Sequence, residues 1–481
     1  MASEQETHRT LSPTRTIPDG LASEVHVARD GDGMQRLGEL LESERHGYLE
    51  RNPLSRELFR RAKGSLMGGV PMPWMAIWAG GFPLFFSRAH GNRITDVDGH
   101  EYIDFCLGDT GSMTGHSPEP VIRAIRDRIE NAGGLATMLP TEDSTVVGEE
   151  LQKRFGLPYW QFTLSATDAN RFVLRMCRQV QKRPYVLVFS RCYHGTVDET
   201  VIITGPDGRA VSKPGNVGPA VDPTATTKVV EFNDVVALRE ALRDRDVACV
   251  LMEPAMTNIG IVPPLPGFLK KVRELCDETG TLLINDETHT FSAGPGGCTR
   301  VWDLRPDVVT IGKALASGFP IGAYGVSASF AERILSDPDA DMLDQGGVGG
   351  TLSGNPLSSA AARATLTEVL TAEAFEHMIS TATRYTSGVQ DVIDSRDLPW
   401  CIAQIGARAE YRFCPQVPRS GAQSAAVADT QLDEYFHLFM LNRGILMTPF
   451  HNMALMCPTT TAADVRRHTE LFAQAVDALM S

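Results

Sequence analysis

Two patterns of hydrophobic and polar positions divide the chain. From about Met34 to Ala62, apolar residues such as Leu37, Leu40 and Leu41 recur at helical spacing and predict a helix. The stretch "FPLFFSRAHGNRITDVDGHEYIDF" (82–105) instead alternates apolar and polar residues around glycine-containing turns. This alternation predicts consecutive antiparallel strands.

The middle of the chain has short, continuous apolar runs separated by helical stretches. The runs are 185–190, 248–254, 281–287 and 307–312, and the helical stretches include 234–245 and 267–280. Strands that are apolar on both sides predict a mostly parallel sheet covered by helices, hence an α/β fold. Ligands of such sheets bind at the carboxyl ends of the strands, where Asp286 and Lys313 lie.

These patterns predict four segments. The polar stretch 1–33, rich in Pro and Gly, is expected to be a flexible arm or to wrap a partner subunit. Residues 34–105 supply a helix and strands of a smaller α+β domain, and 106–364 form the large domain. Residues 365–481, which include "IGARAEYRFCP" (405–415), complete the small domain, so that both chain ends contribute to it.

Composition excludes several function classes. A net charge of −14 argues against general nucleic-acid binding, and no uninterrupted apolar run is long enough to predict a membrane span. The N-terminus has no secretory h-region, so we expect a cytoplasmic protein. Nine scattered cysteines without a CxxC pair and twelve histidines without HExxH predict reduced thiols and no metal site.

Lys313 stands out among the eight lysines of the chain. In "VVTIGKALASGFPIGAYG" (308–325) it directly follows an apolar β-branched run, whereas the other seven have polar, charged or turn-forming neighbours. Desolvation disfavours an ammonium group there, and a neutral amine attacks aldehydes, so Schiff-base chemistry is one interpretation. A purely structural lysine is the other.

Several further residues suit a phosphorylated, flat heterocycle. Asp286 ends the run "LLIND" and suits a protonated pyridine nitrogen, although it could also cap the next helix. Ser165, Ala166 and Thr167 precede a predicted helix, whose amides could bind phosphate or need only a cap. Tyr193 offers a ring for stacking, or a core side chain, and Thr351 lies in a glycine-rich loop.

Four ordered motifs carry a family resemblance. "EPAMTNIGIVPPLPGFL" (253–269), "NDE" (285–287), "TIGKALASGFPIGAYG" (310–325) and "GTLSGNP" (350–356) resemble class III aminotransferases. The branch most similar contains glutamate-1-semialdehyde aminomutase and β-amino-acid aminotransferases. The resemblance implies the fold type I architecture, a homodimer and pyridoxal 5'-phosphate as cofactor.

The resemblance also implies roles for individual residues. Lys313 is the Schiff-base lysine, Asp286 faces the pyridine nitrogen and Asn258 lies near the phenolic oxygen. Tyr193 stacks on the ring, Ala166 and Thr167 bind the phosphate, and Thr351 reaches it from the other subunit. The predicted cofactor site is completed by the following residues: Ser165, His194, Glu253 and Thr288.

The chain departs from the family pattern in three places. The phosphate-binding turn has Ala166 where the family usually has Gly. After Asp286-Glu287 the family usually has an apolar β-branched residue, whereas this chain has Thr288 followed by His289. The segment 68–86 lacks the arginine that would bind a substrate carboxylate and is rich in aromatic residues. Trp74 and Trp78 are therefore candidates for an apolar substrate pocket, or else ordinary core or interface residues.

The carboxylate of an amino-acid substrate still needs a cation to bind it, and Arg412 is the candidate. The alternative is that Arg412 only forms a surface salt bridge. The sequence predicts an aminotransferase that moves an amino group from a hydrophobic or aromatic amine or amino acid, including a β-amino acid, to a keto acid by ping-pong kinetics. The alternative is an isomerase of the same family, either an aminomutase or a racemase. A lyase and a non-catalytic relative are further, less favoured hypotheses.

Overall fold

The computed structural model describes residues 31–343 and 346–481, and its centre is a seven-stranded sheet. In spatial order the strands are β4 (Tyr159–Thr163), β12 (Gly322–Val326), β11 (Val308–Ile311), β10 (Leu282–Asp286), β9 (Val247–Met252), β5 (Tyr185–Phe189) and β8 (Thr227–Val230). Six strands are parallel and β12 alone runs against both neighbours. The predicted mostly parallel sheet is therefore confirmed.

Both faces of this sheet are buried. Val309 of β11 and Ala323 of β12 belong to one hydrophobic cluster, whereas Val308 and Tyr324 belong to another. Because side chains alternate across a strand, the two clusters lie on opposite faces. The helices of this part of the chain are α3 (Glu119–Asp127), α4 (Glu142–Phe155), α5 (Ala166–Gln181), α6 (Val235–Leu242), α7 (Phe268–Thr279), α8 (Gly297–Val301), α9 (Ala328–Leu335) and α10 (Pro356–Ala364).

The two chain ends share a smaller sheet. The strands β1 (Phe86–His90), β2 (Arg93–Asp96) and β3 (Glu101–Asp104) are antiparallel, as the alternation predicts. The strand β15 (Ile445–Leu446) then pairs with β3 in parallel. This pairing joins a segment from the C-terminal part of the chain to strands from its N-terminal part.

The remaining strands and helices complete the fold. The strands β13 (Cys401–Ile405), β14 (Arg408–Arg412) and β16 (Met453–Leu455) form a three-stranded sheet, and β6 (Ile202–Thr204) pairs with β7 (Ala210–Ser212). The terminal helices are α1 (Gly31–Arg51), α2 (Pro53–Ala62), α11 (Ala372–Ser395), α12 (Gly421–Ala426), α13 (Thr430–Leu441) and α14 (Ala462–Met480).

Helix α1 begins at residue 31, so the last three residues of the predicted arm 1–33 are helical. The rest of that arm, 1–30, lies outside the described residues. Residues 82–85 are not a strand, because the chain enters β1 only at Phe86. Within the described ranges, no helix has both the length and the apolar character needed to cross a membrane.

Candidate active site

A cavity of about 290 Å³ lies at the carboxyl ends of β10 and β11. Asp286 is the last residue of β10, and Lys313 follows β11 by two positions. The parallel pairing of these strands places the two residues at one edge of the sheet. Eight of the predicted site residues line this cavity, namely Ser165, Ala166, Thr167, Tyr193, His194, Asp286, Thr288 and Lys313.

Asp286 is a buried carboxylate with several donors. Its Oδ2 accepts hydrogen bonds from Asn170 Nδ2 and His194 Nδ1, both at 2.9 Å, and its Oδ1 accepts from the Thr288 amide at 3.1 Å. Burial alone would raise the pKa of Asp286, but these bonds outweigh it and hold the pKa below its ordinary value. The site therefore maintains a negative charge at the end of β10.

The amino terminus of α5 forms an anion cradle beside the cavity. Ser165 caps the helix by accepting from the Asp168 amide at 3.2 Å, and the first helical amides have no acceptor within the helix. Gly312 approaches Ala166 so closely that an added Cβ would lie 2.9 Å from the Ala166 Cβ. At Gly195, with φ of +80°, a Cβ would collide with Thr167.

Lys313 has two close partners that are not on the neighbouring strands. Its Nζ lies 2.8 Å from Asp109 Oδ2 and 2.8 Å from His289 Nε2. Burial lowers the pKa of His289 well below its ordinary value, and the nearby Arg408 guanidinium acts in the same direction. Although burial opposes it, attraction to Lys313, His289 and Arg408 keeps the pKa of Asp109 far below the ordinary value.

The loop that carries Asp109 has an unusual backbone. Leu107, Gly108, Asp109 and Thr110 all have positive φ, between 45° and 82°. Such left-handed conformations are unfavourable for residues other than glycine and are often found where a loop must present side chains to a site. Here the loop presents Asp109 and Thr110 to the side chains that follow β10 and β11.

Arg408 is almost completely buried next to this loop, with 1% of its surface exposed. Its NH1 nitrogen lies 3.1 Å from Thr110 Oγ1 and 3.1 Å from His289 Nδ1. Its other terminal nitrogen lies 3.7 Å from Asp109 Oδ1. Arg408 therefore contacts Asp109, Thr110 and His289. Sequence analysis placed none of these three side chains in the site.

Three predicted cofactor residues do not line the cavity. Glu253 is buried, accepts a hydrogen bond from Thr257 Oγ1 at 2.5 Å, and has its pKa raised by burial to about 7. Asn258 is half-buried, next to Thr257, whose carbonyl accepts from Arg408 at 3.4 Å. Thr351 is exposed and lies in a separate groove with Met138 and Leu139.

The predicted substrate residues are distributed unevenly. Trp74 lies near the cavity, because its ring is 5.2 Å from that of Tyr193. Trp78 instead packs against His437 at 5.3 Å and against the hydrophobic core. Arg412 is buried on the same strand as Arg408, and its guanidinium donates to the Ser424 carbonyl at 2.6 Å.

Sequence analysis did not place Asp109, Thr110, Asn170, His289 or Arg408 in the site. A local signal existed for Asp109 and Thr110, which follow strand β3 in the glycine-bracketed string "LGDTG" (107–111). Arg408 shares a face of β14 with Arg412. No spacing rule links these positions to Lys313, which lies 204 residues beyond Asp109.

These residues fit pyridoxal phosphate. His194 Nε2 and Thr288 Oγ1 are buried beside the cavity without a hydrogen-bond partner among the described residues. Asp286 would supply a carboxylate for the pyridine nitrogen, the start of α5 suits a phosphate, and Lys313 would supply the amine. Ala166 does not disturb the cradle, because its φ/ψ are helical and it needs no glycine.

The family model for class-III aminotransferases matches residues 74–476. The glutamate-1-semialdehyde 2,1-aminomutase of Sorangium cellulosum (strain So ce56) is 34% identical over 425 residues, which are 87% of this chain and 95% of that protein. That of Aquifex aeolicus (strain VF5) is 31% identical over 397 residues, 82% of this chain and 92% of that protein.

Solved structures show the same likeness. A glutamate-1-semialdehyde-aminomutase from Pseudomonas aeruginosa PAO1 in complex with PMP has 44% sequence identity and a TM-score of 0.90, covering 93% of this chain and 99% of that one. A β-phenylalanine aminotransferase from Variovorax paradoxus has 25% identity and a TM-score of 0.80, covering 92% and 97%.

These comparisons correct the predicted activity. The prediction of an aminotransferase that passes an amino group from a hydrophobic donor to a keto acid is wrong. The curated relatives that match most of the chain are aminomutases, which are isomerases. The predicted alternative, an isomerase, agrees with them. The error has two causes. Lys313 and Asp286 suit aminotransfer and isomerisation equally, so they do not distinguish the two reactions. Much of the aromatic segment also packs away from the cavity, because Trp78 contacts His437 and Phe82 contacts Tyr48.

The family match over most of the chain, the fold of the solved relatives and the fit of the cavity agree with one another. The chain therefore belongs to the class III aminotransferase family, as an enzyme of fold type I that acts on small molecules with pyridoxal 5'-phosphate as its cofactor.

Proposed function

We propose that this enzyme is an aminomutase that moves an amino group between adjacent carbons of one molecule, with glutamate-1-semialdehyde as substrate. The observation that carries the proposal is that several relatives matching more than four fifths of the chain are named for this reaction. Exchange of the amino group at C2 with the oxygen at C1 gives 5-amino-4-oxopentanoate. The product is an isomer of the substrate, so no external donor or acceptor is consumed.

The bound cofactor supplies a carbonyl carbon that carries the amino group and a ring that accepts electron density. Asp286 holds a negative charge against the pyridine nitrogen and thereby keeps that nitrogen protonated. The start of α5 binds the phosphate and fixes the ring. Lys313 Nζ would act as the base that removes a proton from the substrate carbon bearing the amino group and, once protonated, as the acid that gives a proton to the carbon that receives the amino group.

The substrate carboxylate also needs a partner, for which we propose Arg412. It is buried on β14, and its Nε, like that of Arg408, has no hydrogen-bond partner among the described residues. Arg408 is less suited to that role, because Thr110, His289 and Asp109 already surround its guanidinium. Trp74 would then contact the chain of the substrate from the side of Tyr193.

We further propose a homodimer in which Thr351 completes the partner's phosphate site. In its own chain Thr351 is exposed and does not line the cavity that holds Lys313. Its groove also contains the exposed apolar side chains Met138 and Leu139, at 80% and 70% exposure, which association would remove from water.

We also propose the cytoplasm as the compartment of the protein, and boundaries near residues 105 and 364 as its domain limits.

The test is turnover of glutamate-1-semialdehyde by the holoenzyme without any added keto acid. We expect 5-amino-4-oxopentanoate in amounts far above the enzyme concentration, identified by NMR. Lys313→Ala should abolish turnover, whereas Lys153→Ala, which changes an exposed lysine, should retain it. Product that forms only after a keto acid is added would contradict the aminomutase and favour aminotransfer.

A further inference from the structure

The four side chains Asp109, His289, Lys313 and Arg408 form one hydrogen-bonded cluster whose proton positions follow from its geometry. Arginine has only donors on its guanidinium and stays charged in proteins. Its NH1 lies 3.1 Å from His289 Nδ1, so Nδ1 must accept that hydrogen bond. Thr110 Oγ1, at 2.9 Å from Nδ1, can donate to the same atom.

A histidine whose Nδ1 accepts carries its proton on Nε2 when the ring is neutral. The ring is buried beside the Arg408 guanidinium, and burial above all holds the pKa of His289 well below its ordinary value. Besides Lys313 and Arg408, the carboxylates of Asp109 and Asp286 act on this ring, and His451 acts on Asp109. The neutral ring therefore directs its Nε2–H at Lys313 Nζ, 2.8 Å away.

This arrangement restricts the protonation of Lys313. An ammonium group has three donors and no acceptor, so it cannot receive the hydrogen of Nε2. A neutral amine satisfies both close partners, because its lone pair accepts from His289 while one of its hydrogens is donated to Asp109 Oδ2 at 2.8 Å. Every hydrogen bond in the cluster then has one donor and one acceptor.

We propose that His289 is a catalytic residue that holds Lys313 as a neutral amine by donating Nε2–H to it, and that Arg408 and Thr110 are positioning residues that fix this tautomer. The neutral amine is the form that attacks a carbonyl carbon and removes a proton from a substrate. The inference rests on the role of Lys313 in the proposed function. Its test, however, needs no turnover, so the two can fail separately.

The first measurement is the tautomer of His289 in the full-length, cofactor-free chain, by ¹⁵N NMR of histidine nitrogens. The signals are assigned by their loss in His289→Gln. We expect an unprotonated Nδ1 and a protonated Nε2. A protonated Nδ1, or a doubly protonated ring at neutral pH, would overturn the proposal whatever the variants do.

The second measurement is the acetylation rate of Lys313 by acetic anhydride at neutral pH, since only neutral amines react. Exposed Lys153 in the same sample is the internal reference. His289→Phe removes the donor and should slow the acetylation of Lys313 about fivefold relative to Lys153, because the fraction of neutral amine falls when one hydrogen bond to it is lost. His289→Gln keeps an N–H and should restore most of the rate.

The matched control is His468→Gln, which changes another buried histidine, bonded to Tyr385 in the small domain. It should leave the Lys313 rate unchanged. An unchanged rate in His289→Phe, or an equal loss in His468→Gln, would contradict the proposal.

Discussion

Asp286 keeps its charge in a buried position because three donors surround it. Asp286→Asn preserves the size of the side chain but removes the charge that we propose faces the pyridine nitrogen. We expect kcat to fall about a hundredfold, the effect of losing a hydrogen bond to a charged group, together with weaker cofactor retention. Steady-state kinetics and equilibrium dialysis measure both.

Asp433→Asn is the matched control, because Asp433 is half-buried, has a pKa raised to about 7 by burial, and accepts a hydrogen bond from Asn452 outside the cavity. It should leave kcat unchanged. Full activity in Asp286→Asn would show that the charge on residue 286 is not needed.

Glu253 shows the opposite behaviour, because burial raises its pKa to about 7. Its value in the unfolded chain is about 4.3. The folded state therefore binds the proton more tightly, and the carboxylate destabilises the fold increasingly as the pH rises from about 4 to 7. Glu253→Gln should raise the melting temperature more at pH 8 than at pH 5.

Exposed Glu57, paired with Arg60, provides the comparison. Glu57→Gln should change the melting temperature little at either pH. A gain from Glu253→Gln that is equal at both pH values would mean that Glu253 is not protonated in the native protein.

Replacing Arg412 should affect substrate binding and catalysis to different extents, which KM and kcat can distinguish. If its guanidinium binds the substrate carboxylate in the ground state and the transition state alike, Arg412→Lys should raise KM about tenfold and change kcat little. Arg419→Lys, which makes the same substitution in the neighbouring loop, should leave both constants unchanged. A loss confined to kcat would assign Arg412 a structural role.

At the scale of elements, helix α14 is connected to β2 through its first turn. Thr461 and Asp464 form a capping box, and Asp464 also accepts from Asn92 at 3.0 Å and pairs with Arg93 at 2.5 Å. Thr461→Ala should lower the free energy of unfolding by about 1 kcal/mol, since it leaves a helical amide without its acceptor. Urea unfolding measures the change.

Thr461→Ser retains the hydroxyl and should recover most of this loss. Equal destabilisation by both variants would show that the methyl group of Thr461, rather than the cap, carries the stability.

Elements with a local pattern could be predicted, and the partners of Lys313 could not. The continuous apolar run before Lys313 predicts β11, and the alternation over 82–105 predicts β1 to β3. Asp109 and Arg408 reach Lys313 from a left-handed loop and from β14. Such contacts between distant segments leave no periodicity, and a histidine such as His289 has no sequence signal for its tautomer.

At the scale of the whole molecule, a dimer of twice the 52.4 kDa chain mass would place Thr351 at the partner's cofactor. Thr351→Ala should weaken cofactor binding about tenfold through the lost phosphate hydrogen bond. Light scattering measures the mass, and mixed dimers test the sharing of the site.

A dimer of one Lys313→Ala chain and one Thr351→Ala chain has one site with both changes and one with neither. Mixing the two inactive or weakened proteins should therefore restore activity at limiting cofactor. If Thr351 serves its own chain, neither site is intact and mixing restores nothing.

The antiparallel strand β12 has a consequence for the timing of catalysis. Because it runs back along β11, the segment from Gly312 to Ile321 is anchored by a buried strand at each end. If Lys313 acts as proposed, its amine moves by rotation about side-chain bonds rather than with the backbone. Such rotations are far faster than ordinary turnover, so we expect bond-making or the passage of molecules in and out to set the rate of the enzyme.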